Sequence, residues 1–185
     1  SIKKVPAPRD KSNVPPGLVS NYFHDSLNEH DIVDIKAPSG HFYLKINENK
    51  PVVLLSGGVG ITPVLSMLNT LVELDSQREI WFFLGVRDKT EHVMKEHLEK
   101  VAIENPNVNL KIFYSRPRET DLKGDDYHIE GRVSVENFKP LLPSNNYEFY
   151  ICAPPPMVKD LTAGLASWGV PKTSIHFEAF GPATV

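Results

Sequence analysis

Two stretches of this sequence combine residue types and spacings that can do chemistry. The first is Leu55-Ser56-Gly57-Gly58-Val59-Gly60-Ile61-Thr62-Pro63. Glycines without Cβ atoms let backbone amides close on an anion, and the start of a following helix adds partial positive charge. Thr62 is placed to act as N-cap and Pro63 as first helical residue. That is a phosphate-binding device; the plain alternative is a tight turn between packed elements. The second stretch is Tyr150-Ile151-Cys152-Ala153-Pro154-Pro155-Pro156-Met157, which holds the single cysteine of the chain. A lone cysteine is commonly a buried structural residue, but this one falls where an apolar strand gives way to a helix.

The elements that must position these residues are legible on both sides. Val52-Val53-Leu54-Leu55 reads as a buried strand, and Val64, Met67, Leu68 and Leu71 repeat as one helical face. From residue 51 onward strands and helices alternate. Strands are expected at 52–56, 80–85, 109–114, 147–152 and 174–178, and helices at 63–74, 91–103, 134–140 and 155–168. Thr90 is a candidate cap for the second helix, whose apolar face is Met94, Leu98, Val101 and Ala102. Val158, Leu161, Leu165 and Trp168 face the core from the last helix. The pattern predicts an α/β fold, a doubly wound five-stranded parallel sheet flanked by helices. In such sheets ligands collect beyond the carboxyl ends of the strands, so Cys152 and the Gly57–Pro63 loop share an edge. Ahead of it, residues 6 to 16 read as a proline-bearing loop. Tyr22–Leu27 reads as a short helix, and 31–36 and 40–44 as strands around a Pro38-Ser39-Gly40 turn.

Several function classes drop out. No Gly-Lys-Ser/Thr follows the glycines, so this is not a P-loop, and Pro63 breaks the usual G-x-G-x-x-G fingerprint. His92 and His97 are five apart and do not share a helical face, and neither H-E-x-x-H nor G-x-S-x-G occurs, which argues against metal-dependent and serine hydrolases. One cysteine can form neither an intrachain disulfide nor a four-thiolate iron–sulfur site. The net charge of −3 is spread along the chain, so no nucleic-acid surface is indicated. Apolar runs of four or five residues are too short to span a membrane, and a cytoplasmic protein is expected.

The variant G-x-G-x-T-P resembles the pyridine-nucleotide loop of the ferredoxin–NADP reductase superfamily. Three further segments resemble the same family in order. Cys152-Ala153-Pro154-Pro155 is similar to its Cys-Gly-Pro-Pro segment, with Ala153 in place of glycine. Gly17-Leu18-Val19-Ser20-Asn21 resembles its Gly-x-Val-Ser-Asn segment, and Glu178-Ala179-Phe180-Gly181-Pro182 resembles the ending of flavohaemoglobin-type reductases. The resemblance implies a C-terminal part of an FAD-containing NAD(P)H oxidoreductase, similar to flavohaemoglobin-type and iron–sulfur flavoprotein reductase modules. It places the end of an FAD-binding antiparallel β-barrel at 1–50 and the NAD(P)-binding domain at 51–185.

The same resemblance implies roles. Gly57, Gly58, Val59, Gly60, Ile61, Thr62 and Pro63 would meet the dinucleotide, with Cys152, Ala153, Pro154 and Met157 beside them. Thr62 and Cys152 would position the nicotinamide. Phe180 would cover the flavin and gate access, next to Gly181 and with Glu178 nearby. Gly17, Val19, Ser20 and Asn21 would meet the FAD pyrophosphate. Arg87, Ser115 and Arg116 fall on the adenosine side. Ser115-Arg116 resembles a 2′-phosphate reader, whereas Asp88 suits a free ribose hydroxyl, so NADH and NADPH both stay open. Hydride would pass from NAD(P)H to FAD, and electrons onward to a haem or iron–sulfur partner. The family's Arg-x-Tyr-Ser flavin element does not occur in these 185 residues. The expectation is a piece of a larger protein that holds FAD weakly. The alternative is a nucleotide-binding or regulatory module with no turnover of its own.

Overall fold

The structure is a computed structural model and describes residues 2, 4–7, 14–37 and 39–179. The chain forms two compact units, Ser1–His41 and Phe42–Val185.

In the larger unit every strand among the described residues lies in one parallel sheet. The strands are β1 (Val52–Gly57), β2 (Ile80–Val86), β3 (Val108–Tyr114), β4 (Ile129–Glu130), β5 (Glu148–Ala153) and β6 (Ile175–Ala179). Their spatial order is β4-β3-β2-β1-β5-β6. Six strands among the described residues thus replace the five expected. The addition, β4, is a two-residue edge pairing of Phe113 with Ile129 and Tyr114 with Glu130, too short to leave a periodic trace.

Helices follow the strands: α2 (Ile61–Glu73), α3 (Lys95–Glu104), α4 (Val135–Phe138) and α5 (Pro155–Ser167), numbered after α1 (Leu18–Asp25) of the smaller unit. The central strands β1 and β5 are buried on both faces, which is why they read as largely apolar blocks rather than alternating ones. One face packs Val52, Leu54, Phe82, Leu84 and Tyr150 against Val64, Leu68 and Leu71 of α2 and Leu98 and Val101 of α3. The other packs Val53, Leu55, Phe83, Phe149 and Ile151 against Phe138 of α4 and Val158, Leu161 and Leu165 of α5.

Two helix caps differ from expectation. Thr62 does not cap α2, because the chain already winds helically through a 3-10 turn at Gly58–Gly60, and Ile61 N–H bonds back to the carbonyls of Gly58 and Val59. Gly60 is the N-cap, so Thr62 and Pro63 sit inside the first turn. Thr90 does not cap α3 either. Asp88 caps a 3-10 turn at Lys89–Glu91, and α3 begins only after Met94, whose φ of 61° is left-handed.

The smaller unit is built on α1, which starts earlier than expected and takes in Val19, Ser20 and Asn21. Ser20 Oγ accepts from Val5 N–H at 3.2 Å, and Asn21 Nδ2 donates to the Val5 and Gly17 carbonyls at 2.8 and 2.7 Å. No strand occurs among the described residues before Val52, so the expected strands at 31–36 and 40–44 are corrected. Ile32 and Ile35 are 95% and 87% exposed. An alternating sequence becomes a strand only when a neighbour completes its ladder, and the described residues supply none.

Candidate nucleotide site at the strand switch point

The spatial order of strands reverses between β1 and β5, since β2 and β3 lie on one side of β1 and β5 and β6 on the other. A crevice forms beyond the carboxyl ends of strands at such a switch point. The Gly57–Pro63 loop leaves β1 there and Cys152-Ala153-Pro154 leaves β5, with Ser56 in register with Cys152.

Each glycine of the loop has its own reason. At Gly57 a Cβ would come within 2.7 Å of Met157 Sδ, 3.1 Å of Pro154 Cδ and 3.4 Å of the Ala153 methyl, so the two loops pack directly on one another. Gly58 is the opposite case. Its φ is +56°, and a Cβ there would meet nothing within 4 Å. It leaves open space over the start of a helix that has no side-chain cap. The helical run opens at Gly58, and the first amides of such a run lack intrahelical acceptors and suit an anion. Thr62 Oγ1 donates to the Val59 carbonyl at 3.2 Å, which ties the loop to α2.

Cys152 is 4% exposed. Burial, and then the carboxylate of Glu178 opposite it on β6, push its thiol up to about 11. It is a neutral thiol at physiological pH, unsuited to act as a thiolate nucleophile and suited to packing against a neutral ring. Glu178 itself is exposed. Phe180 and Gly181 lie outside the described residues. Gly17, Val19, Ser20 and Asn21 belong to the smaller unit, where Ser20 and Asn21 make the contacts given above.

Farther along the same sheet edge, β2 runs into Arg87 and Asp88, and β3 into Ser115 and Arg116. Ser115 N–H and Arg116 N–H donate to the carbonyls of Val86 and Arg87 at 3.0 and 2.8 Å, holding the two strand ends together. Ser115 Oγ also donates to the Val86 carbonyl, at 3.3 Å. Arg87 and Arg116 are exposed.

Two residues that sequence reasoning missed belong to this edge. Ser56 is fully buried beside Cys152, and among the described residues its hydroxyl has no hydrogen-bond partner. Its only signal is a polar residue closing an apolar strand. Arg118 reaches across to Asp88, a pairing between residues 30 apart in sequence.

The sequence profile of the oxidoreductase NAD-binding domain matches residues 54–163. The chain belongs to that family. The match begins in β1, includes the whole Gly57–Pro63 loop and Cys152, and ends within α5. The chain is also 44% identical over 171 residues to a flavohemoprotein of Bacillus thuringiensis subsp. konkukian, covering 92% of this chain and 42% of that protein. It therefore spans less than half the length of the flavohemoproteins it matches. Among solved structures, it is similar to the flavohem-like FAD/NAD binding domain of nitric oxide dioxygenase from Vibrio cholerae O1 biovar El Tor. The TM-score there is 0.79 at 28% identity, covering 95% of this chain and 70% of that one. The cytochrome b5 reductase domain of Ulva prolifera nitrate reductase has the same fold, with a TM-score of 0.79 at 22% identity over 96% of this chain and 71% of that one. The NAD-binding domain of this chain has the fold of the ferredoxin–NADP reductase superfamily.

Among the described residues no three His, Cys, Asp or Glu side chains converge as a metal-ligand set, and no helix is long and apolar enough to cross a membrane.

Proposed function

We propose that this chain is the dinucleotide-binding portion of an NAD(P)H-dependent flavoprotein oxidoreductase of the cytoplasm. The observation that carries this reading is the open, left-handed Gly58 beside an uncapped helix start, with Cys152 at the neighbouring strand end. When bound, the nicotinamide supplies a hydride, and FAD accepts it and releases electrons singly to an acceptor.

The work of this chain is binding and orientation. The amides that open the Gly58–Gly60 turn ahead of α2 hold the pyrophosphate over Gly58, where a side chain would intrude. Thr62 and the neutral thiol of Cys152 fix the nicotinamide, and Glu178 lies across from that thiol. Phe180, beside Gly181, gates the approach. Arg87, Ser115 and Arg116 receive the adenosine end, while Ala153, Pro154 and Met157 form the wall under Gly57. Residues 1–50 are assigned to the end of an FAD-binding barrel, with Gly17, Val19, Ser20 and Asn21 toward the FAD pyrophosphate, and residues 51–185 to the nucleotide domain. The flavohemoprotein relatives favour a haem over an iron–sulfur acceptor.

Calorimetric titration with ADP-ribose tests the reading. Binding is expected, and Gly58→Ala should weaken it about tenfold or more. The variant should stay folded, since its left-handed backbone costs only about 1–2 kcal/mol. Unchanged ADP-ribose affinity in a folded Gly58→Ala variant removes the loop from the site. The turnover claim is tested separately, by fusing the chain to the preceding portion of a flavohemoprotein relative. A fusion that binds NAD(P)H yet never bleaches bound flavin returns the non-catalytic alternative.

A further inference from the structure

Beyond the ends of β2 and β3, both carboxylate oxygens of Asp88 are engaged within the protein. Its Oδ1 accepts from Thr90 N–H at 2.8 Å and from the Thr90 hydroxyl, and its Oδ2 accepts from Arg118 Nε at 3.1 Å. Arg118 Nη2 donates to Thr90 Oγ1 at 3.2 Å, closing a three-residue ring. Arg118 is itself held in place, because its backbone N–H donates at 2.9 Å to Oδ2 of the buried Asp121, which also lies 3.5 Å from Lys89 N–H.

An acidic side chain at the end of the second strand of a dinucleotide-binding sheet accepts from the free ribose hydroxyls, whereas a 2′-phosphate is met by arginine. Asp88 occupies the first position but offers an acceptor whose charge is already neutralised. Arg118 spends two of its five N–H donors on this ring, and its side chain remains 55% exposed. Arg87 and Arg116 present exposed guanidinium groups at the same two strand ends, Arg87 with Glu91 at 3.9 Å. A planar guanidinium fork matches phosphate geometry.

We propose that Arg118, by holding Asp88 in this ring, is the positioning residue that makes the edge select a 2′-phosphorylated adenosine, and hence NADPH over NADH. The inference rests on the nucleotide site proposed above. It assigns coenzyme choice to a residue that holds another group in place rather than to the strand-end Ser115-Arg116 pair alone.

Titration calorimetry with 2′,5′-ADP and 5′-AMP reads this without any need for flavin or turnover. The native chain should bind 2′,5′-ADP at least tenfold more tightly than 5′-AMP. Arg118→Ala releases the Asp88 carboxylate toward the 2′ position, and should erase most of that margin while leaving 5′-AMP affinity within about twofold. Adding Asp88→Asn to Arg118→Ala removes the released charge and should restore a substantial part of the margin. A general loss of structure would instead weaken both nucleotides together and would not be rescued by the second substitution. Equal affinities in the native chain, an unchanged margin in Arg118→Ala, or no recovery in the double variant overturns the role of Arg118. Failure of the native chain to bind 2′,5′-ADP, 5′-AMP and ADP-ribose overturns the nucleotide site beneath it.

Discussion

Cys152 and Ser56 stand side by side at the ends of β5 and β1, Cys152 packed within the buried core and Ser56 with an unpartnered hydroxyl among the described residues. Ser56 Oγ is buried without a partner, a situation that costs about 1–3 kcal/mol. The Cys152 thiol stays protonated at neutral pH because burial and Glu178 both oppose its ionisation. Under the function proposed above, a neutral, polarisable sulfur at this strand end would meet the nicotinamide rather than do covalent chemistry. In the flavin-loaded protein, Cys152→Ser should therefore leave folding and flavin content unchanged but slow flavin reduction by NAD(P)H about tenfold, on the order of 1.4 kcal/mol in the barrier. Electron transfer to the acceptor afterward should keep its native rate. Stopped-flow bleaching of FAD separates the two steps, and a native reduction rate in a folded Cys152→Ser protein returns this cysteine to a structural role. The glycine loop and Cys152 were legible because each is flanked by its own strand and helix signals. The Asp88–Arg118 ring was not, since its partners lie on separate loops beyond β2 and β3 and only folding brings them together.

At the scale of elements, the strands from Val52 onward fall within a residue of expectation at nearly every end, most clearly β1 and β2, which burial on both faces writes as apolar blocks. Helix starts were harder. The 3-10 turns at Gly58–Gly60 and Lys89–Glu91 carry no distinct periodicity, and each takes over a start signal that resembles a helix cap. Contacts between elements are less visible still, and Gly164 in α5 shows why. In a helix interior glycine costs about 1 kcal/mol relative to alanine, so Gly164→Ala looks stabilising from sequence. The structure reverses the sign. A Cβ on Gly164 would lie 2.8 Å from Val135 Cγ2 and 3.1 Å from Val135 Cβ, where α5 meets α4. Valine is stiff about χ1 and its Cβ moves only with the backbone, so overpacking of about 1–3 kcal/mol outweighs the propensity gain. Gly164→Ala should lower the stability read by urea unfolding by about 1 kcal/mol. Adding Val135→Ala should leave the alanine at 164 favourable relative to glycine in that background. A stabilised single variant would show that α4 yields at no cost.

Across the whole larger unit, polar anchoring is strong at the edge opposite the candidate nucleotide site. Glu148, at the start of β5, is 3% exposed. It accepts from His176 Nε2 at 2.6 Å, Ser174 Oγ at 2.8 Å and Lys50 Nζ at 2.9 Å, joining the entrances of β1, β5 and β6. Arg78 donates to the Lys50 and Lys45 carbonyls from the same end. The sheet is thus fastened where its strands begin, leaving the loops at their carboxyl ends to be shaped for a ligand. Burial works to raise the Glu148 pKa, but the hydrogen bonds from His176, Lys50 and Ser174 outweigh it and bring it from 4.5 down to about 2. A carboxylate whose folded pKa lies below its unfolded value contributes its full stability above the unfolded pKa. That contribution is lost as pH falls through the folded one. For Glu148 it is on the order of 3 kcal/mol, present above about pH 4.5 and removed toward about pH 2. His92 acts with the same sign at higher pH. Burial and then Lys95 lower its pKa from 6.5 to about 4, so its contribution is complete above about pH 6.5 and fades toward pH 4. Urea unfolding should therefore show stability falling in two overlapping stages, the first below about pH 6.5 and the second below about pH 4.5. Glu148→Gln should be less stable than the native chain by about 3 kcal/mol at pH 7, and that difference should shrink by more than half near pH 3. A difference that stays constant between pH 7 and 3 would mean that Glu148 contributes through the shape of its contacts and not through its charge.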